Sequence, residues 1–226
     1  MNVSDPTSDV RDTKERLLDA AERLFGDQGF ESTSLRLITT EAGANLAAVN
    51  YHFGSKEDLI VAVMARRVEP LNRERLTLLD RLEAAAGEEP PSVEEVLETF
   101  LAPPLRMKYA AGEAGTAFMR LTGHAMFQSN ERIRHQLMDQ FEEVARRYVA
   151  ALTRAAPHAP AEETIWRLLF SVGAMVHALV ISEDAKVHTW KQLDPDDVDA
   201  LIDRMVRFLS AGFMAPAARP ATGGEA

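Results

Sequence analysis

Residues 34–59 read SLRLITTEAGANLAAVNYHFGSKEDL, and the spacing of apolar side chains in this stretch decides the fold. Leu35, Ile38 and Ala42 fall at i, i+3 and i+7, the stripe of a short helix, with Ser34 placed to cap its start. Gly43 breaks the pattern. Asn45 then caps a second short helix over residues 46–52, which buries Val49 and Phe53 and ends at Gly54. Ser55 with Asp58 three residues on forms a capping box that opens a further helix through Leu59, Ile60, Val63 and Met64. Two short helices about a glycine turn have helix-turn-helix spacing, in which the second helix projects into a DNA major groove. Short helices joined by glycine also form plain corners of helical bundles, so spacing alone leaves both readings open.

Upstream, Leu17, Ala20, Ala21, Leu24 and Phe25 make one helical stripe, with Asp12 and Glu15 spaced as a capping pair and Gly29 as the stop. Downstream, Pro70 removes a backbone donor and predicts a kink or break. Beyond it helices are expected over residues 72–86, 93–101, 105–111, 116–127, 131–155, 161–181 and 195–213. Their dividers include Pro90-Pro91, Pro103-Pro104 and Pro157 to Pro160. Asp194-Pro195-Asp196-Asp197 reads as a cap, a first-turn proline and two acids at the positive end of the helix dipole. No run alternates apolar and polar residues as a half-buried strand does, so the fold class is all-α. Residues 1–11 and 215–226 have little to bury and are expected to be disordered tails.

The 226 residues are 46% hydrophobic and 27% charged and include no cysteine, which fits a globular protein in a reducing compartment and excludes a disulfide scaffold. The most apolar stretch, residues 168–181, is too short to span a membrane, and the polar start lacks the apolar region of a signal peptide; the expected location is the cytoplasm. The net charge of −10 argues against coating nucleic acid through bulk basicity. Even residues 10–59 hold nine acidic side chains against six basic ones, so any DNA contact must come from local geometry. Enzyme signatures are missing: no nucleophilic cysteine, Gly-x-Ser-x-Gly elbow, phosphate-binding glycine loop or His-Glu-x-x-His pair occurs. The six histidines lack ligand spacing, so neither a metal nor another cofactor is expected.

The stretch from Thr13 to Leu59 resembles the N-terminal domain of the TetR family of repressors. The likeness lies in the alanine-rich first helix, Gly29-Phe30, Thr33-Ser34, Ala42-Gly43, Tyr51-His52-Phe53 and Ser55-Lys56-Glu57. It implies a helix-turn-helix domain over residues 12–56, followed by a helical ligand-binding and dimerisation domain over 57–214. Asn45 to Lys56, with Glu69 to Leu76, resembles the PsrA-like branch, whose members respond to fatty acids or their thioesters. By resemblance, Arg36 reaches DNA, Tyr51 and His52 clamp the backbone, and Leu46, Ala47, Ala48 and Asn50 face base edges. Ser34 and Lys56 stand at helix starts, where amides can donate to phosphates. The recognition face carries no charged side chain, so specificity would lean on thymine methyls, Asn50 and DNA shape. His52 and Arg36 have bland alternatives, as a packing residue and a solvated surface charge.

The second domain is rich in large apolar residues, most of them readable simply as core. Methionine-rich cores also adapt around ligands. If the narrower resemblance holds, the effector is a fatty acid or acyl-CoA, its polar end held by one cation. Arg106, Arg120 and His124 are candidates by type, with Phe100, Met119, Phe127 and Phe170 against the chain. Small residues Ser171, Gly173, Ala174 and Ala178, and the stripe Val198, Leu201, Ile202, Met205, Leu209 and Phe213, suit the last two long helices to a homodimer. The resulting expectation is a repressor that binds a palindromic operator and is released when ligand shifts the population of conformers. The alternative is a helical interaction protein that does not bind DNA.

Overall fold

The computed structural model describes residues 6–110, 121, 123–125, 130–181 and 197–217. In order, its helices are α1 (Pro6–Ser32), α2 (Leu35–Glu41), α3 (Leu46–His52), α4 (Lys56–Ala86), α5 (Val93–Ala110), α6 (Glu131–Asp139), α7 (Glu142–Ala155), α8 (Ala161–Ile181) and α9 (Val198–Met214). Leu121 and residues 123–125 are helical as well. No strand occurs among the described residues, and none of their helices is long and apolar enough to cross a membrane. The chain forms two compact units: one takes residues up to Pro70 together with Ala110–Phe141, the other Leu71–Tyr109 and Glu142 onward.

The first unit is built on the stripe of α1. Leu17, Ala21 and Phe25 are fully buried, as are Ile38 of α2, Val49 of α3 and Leu59 and Val63 of α4. Gly29 stops the regular helix as expected, with φ 79° and ψ 167°. Behind it Phe30 folds onto Phe25, ring edge to face at 5.3 Å, and the buried Thr33 hydroxyl donates to the Gly29 carbonyl at 2.9 Å. The start of α1 differs from expectation: the helix begins at Pro6, where a missing N–H costs nothing. Asp12 is therefore no cap; it lies inside the helix and pairs with Arg16. Phe53, expected in the core, is half-buried.

At two places where prolines were expected to kink, break or divide helices, the helix continues, because burial outweighs local preference. α4 runs through Pro70, with Val68 and Leu71 beside it both buried. An interior proline costs about 3 kcal/mol, and burying two such side chains returns at least as much. α5 likewise runs through Pro103-Pro104, in a turn that is buried throughout. Pro104 leaves the carbonyl of Phe100 without its helical donor, and Arg75 Nε supplies one at 2.9 Å. Conversely, the helix expected over residues 131–155 is two helices. Gln140 and Phe141 separate α6 from α7, and the Phe141 N–H turns back to the Met138 carbonyl at 2.9 Å. Asp197 caps α9, accepting from the Ala200 N–H at 3.0 Å; Asp194 and Pro195 lie outside the described residues.

In the second unit Leu79, Leu97, Leu101, Leu105, Tyr148 and Leu152 are sealed in the core. Ile202, Leu209 and Phe213 of α9 are buried too, so half of the stripe expected to meet a partner is spent inside the subunit, while Val198, Leu201 and Met205 are half-buried. Ser171 is fully buried, whereas Gly173 is exposed. A different apolar row is open: Ile165, Trp166, Leu169 and Phe170 on α8, at 46–64% exposure. Phe208 on α9 reaches 76%.

Candidate nucleic-acid interface

The turn between α2 and α3 is held by local chemistry at every step. Ser34 Oγ accepts from the Leu37 N–H at 3.1 Å, and the Ala42 N–H donates to the Ile38 carbonyl at 2.9 Å. Gly43 has φ 57°, in the left-handed region that favours glycine. The Ala44 N–H then donates back to Thr39, and Asn45 Oδ1 accepts from the Ala48 N–H, both at 2.9 Å. Arg16 of α1 donates to the Ala42 carbonyl at 3.1 Å, tying the end of α2 to the first helix. Ile38 and Val49, fully buried, then fix which face of each short helix points inward.

The opposite face of α3 is open. Leu46 is 51% exposed and Tyr51 78%; Ala47 and Asn50 are exposed and Ala48 is half-buried. Ser34 and Arg36 are exposed as well, and Arg36 has no ion-pair partner among the described residues. His52 and Lys56 are half-buried, and the His52 ring packs edge to face with Tyr51 at 5.0 Å. A concavity of about 450 Å³ is lined by Thr13, Arg16, Gly43 to Asn45, Ala47, Ala48, Tyr51 and His52. Four of the nine residues expected at DNA thus share one hollow with Thr13 and Arg16, which nothing in the sequence pattern singles out. Ser55 opens α4, accepting from the Asp58 N–H at 3.1 Å, while its hydroxyl donates to that carboxylate at 2.5 Å.

The acidic balance of the first unit has a physical explanation. Glu15, Asp19 and Glu22 form one stripe of α1, and Arg66 of α4 pairs with all three. Glu22, 4% exposed, is also bound by Arg67 Nε at 2.7 Å. Burial works against the Arg66 charge, but its bonds to Glu22 and Asp19 win and raise its pKa. Arg23 pairs with Glu41, and Arg132 with Asp58 at 3.6 Å. Three of these arginines lie outside residues 10–59, so a charge count over that window misses the neutralisation. Asp12, Glu15, Asp19, Glu22, Glu41 and Asp58 are thus paired with arginines other than Arg36, which has no acid on it among the described residues.

Of the residues expected at an effector, the described ones do not share one site. Phe100 is buried, its ring 5.0 Å from that of Tyr148 and 4.2 Å below the Arg75 guanidinium. Arg106 is exposed and pairs with Asp199 at 3.1 Å. Phe170 is 64% exposed and stacked on Trp166, on the surface rather than beside Phe100. His124 belongs to the first unit, its exposed ring against Phe30 at 6.2 Å. Met119, Arg120 and Phe127 lie outside the described residues. Sequence reasoning passed over Arg75, which is 2% exposed. Its signal was position: with Leu71 and Leu79 it recurs every fourth residue along the inner face of α4.

Comparison with known proteins agrees with this geometry. Residues 17–63 match the family described as bacterial regulatory proteins, tetR family, and residues 98–212 match the tetracyclin repressor-like C-terminal domain. The nicotine-responsive transcriptional repressor HdnoR of Paenarthrobacter nicotinovorans is 44% identical over 62 residues, 27% of this chain and 32% of its own length. The chain thus spans about a third of that relative. The regulator BetI of Brucella anthropi is 29% identical over 168 residues, 74% of this chain and 79% of its own. Among solved structures, the fatty acid degradation regulator FadR of Bacillus halodurans superposes with a TM-score of 0.64 at 16% identity, covering 93% of this chain and 98% of that one. FadR of Bacillus subtilis in complex with stearoyl-CoA gives 0.63 at 14% identity, covering 88% and 98%. With both its helix-turn-helix and the half of the chain that follows residue 97 matched, the chain belongs to the TetR family of bacterial transcriptional regulators.

Proposed function

We propose that the protein is a repressor that binds a palindromic operator as a homodimer and lets go when a small hydrophobic effector, a fatty acid or acyl-CoA, enters its second domain. The observation that carries the DNA reading is the sidedness of α3. Val49 is sealed inward, while Leu46, Ala47 and Asn50 stand exposed, and Ala47 lines a hollow together with Ala48, Tyr51 and His52. Such a face suits base edges, with Tyr51, His52, Lys56 and the amides behind Ser34 on phosphates. The domains we infer are residues 12–56 for operator binding and 57–214 for effector and partner, in a protein working in the cytoplasm. The effector class is supported by the PsrA-like wording of α3 and by the stearoyl-CoA bound to the Bacillus subtilis FadR of like fold. Effector binding favours a conformer in which the paired α3 helices no longer fit successive grooves.

Selection from random duplex DNA tests this directly. A palindrome should emerge, bound with an affinity that falls steeply as salt rises. Tyr51→Ala and Lys56→Ala should each weaken binding several-fold on every sequence, at roughly 1 kcal/mol for each hydrogen bond to phosphate removed. Asn50→Ala should instead relax the base preference at one position of each half-site. An unchanged preference removes Asn50 from reading, and no enrichment at low salt favours the helical interaction protein instead.

A further inference from the structure

Arg75 has a charge that the fold does not use. It is 2% exposed, against 6% for Arg167 and 8% for Lys108 in the same unit. Arg167 has the Glu163 carboxylate at 3.0 Å. Arg75 has only neutral partners: the Phe100 carbonyl at 2.9 Å on Nε, the Met175 thioether at 3.4 Å on Nη2, and the Phe100 ring below the guanidinium plane. Nη1 has no acceptor among the described residues. Desolvation pulls its pKa down to about 10, a departure that a neighbouring carboxylate would have opposed. Burying a cation without a counter-charge costs several kcal/mol. The structural task, replacing the donor that Pro104 removes from the Phe100 carbonyl, engages Nε alone, and a neutral amide could perform it.

The free edge has the right form for an anion. Nε is anchored on a good acceptor and the Phe100 ring covers one face, so the side chain is held in one orientation. The Nη edge meets only a thioether, a weak acceptor that is easily displaced. A carboxylate can take two parallel N–H···O bonds from such an edge. Lys108 Nζ donates to the Leu179 carbonyl at 2.5 Å, one turn of α8 beyond Met175.

We propose that Arg75 is the counter-charge for the carboxylate of an apolar effector, so that the effector is a free carboxylic acid rather than its ester or thioester. The inference rests on the reading of the second unit as the effector domain. It replaces Arg106, Arg120 and His124 as the cation expected to hold the polar end.

Calorimetric titration of the full chain with dodecanoate, methyl dodecanoate and dodecanoyl-CoA decides the matter. The acid should bind roughly tenfold to a hundredfold tighter than the methyl ester, the worth of a charged hydrogen-bonded pair. Arg75→Gln keeps a donor for the Phe100 carbonyl without the charge; it should abolish that preference. Arg75→Lys should retain most of it. Equal binding of acid and ester, binding of the thioester alone, binding of none of the three, or an undiminished preference in Arg75→Gln each overturns the proposal. Should Arg75→Gln not fold, judged by its circular dichroism, the wild-type ratio and Arg75→Lys still decide. Operator binding without ligand, measured on the same protein, reports separately. Operator binding without acid preference sinks only this inference, and acid preference without operator binding sinks only the regulator reading.

Discussion

At the scale of single residues the turn that presents α3 depends on Gly43. A Cβ there would lie 3.5 Å from Arg16 Nη1, ordinary van der Waals distance, so space is no obstacle; the backbone angle of 57° is. Gly43→Ala is therefore expected to lower stability by about 1–2 kcal/mol, the cost of holding an L-residue in the left-handed region. Gly43→Asn should lose less, since asparagine tolerates that region. Urea unfolding midpoints of the three proteins check the order, and an asparagine variant as weak as the alanine one would point to a role for the missing side chain. Ser34, Asn45, Gly43 and Val49 were legible in the sequence because each acts on neighbours within a few positions. Arg75 was not, since its partner carbonyl is orphaned by a proline on another helix. From sequence it reads only as an interruption between Leu71 and Leu79.

Elements were legible where local preference and packing agree, and misread where they conflict. α2, α3 and α8 have the bounds their caps and periodicity predict. Pro70 and Pro103-Pro104 look like stops, yet α4 and α5 pass through them, because buried neighbours hold each helix across the missing hydrogen bonds. The break between α6 and α7 has no glycine or proline to announce it. There Gln140 Nε2 reaches the Val61 carbonyl of α4 at 3.4 Å, a long-range tie invisible in the sequence. Pro70 differs from the prolines of α5 in being exposed. With no packing of its own to lose, Pro70→Ala should restore a backbone donor and stabilise the protein by roughly 1–3 kcal/mol. The denaturation midpoint should rise at constant slope. A lower midpoint would mean that the protein is built around the geometry proline imposes at that turn.

At the scale of the whole molecule, the open row on α8 is too apolar to face water without a reason. Ile165, Trp166, Leu169 and Phe170 recur at i, i+1, i+4 and i+5, with Gly173 continuing the line, and all are exposed. Contiguous apolar surface of this kind marks an association face, and aromatic side chains near its centre contribute most of the binding. On the function proposed above, a helix of seven residues would read only a few base pairs, and a second copy would make a half-site into an operator. The double variant Trp166→Glu, Phe170→Glu puts like charges opposite one another in any two-fold pairing of this face and leaves the subunit's own core untouched. It should sediment as a monomer with wild-type helicity. Its affinity for the full palindrome should fall by roughly a hundredfold or more, the avidity that goes with the second reading head, while binding to an isolated half-site persists. A variant that stays dimeric and holds the palindrome as before would move the interface off α8, and the exposed aromatic pair would then need a different partner.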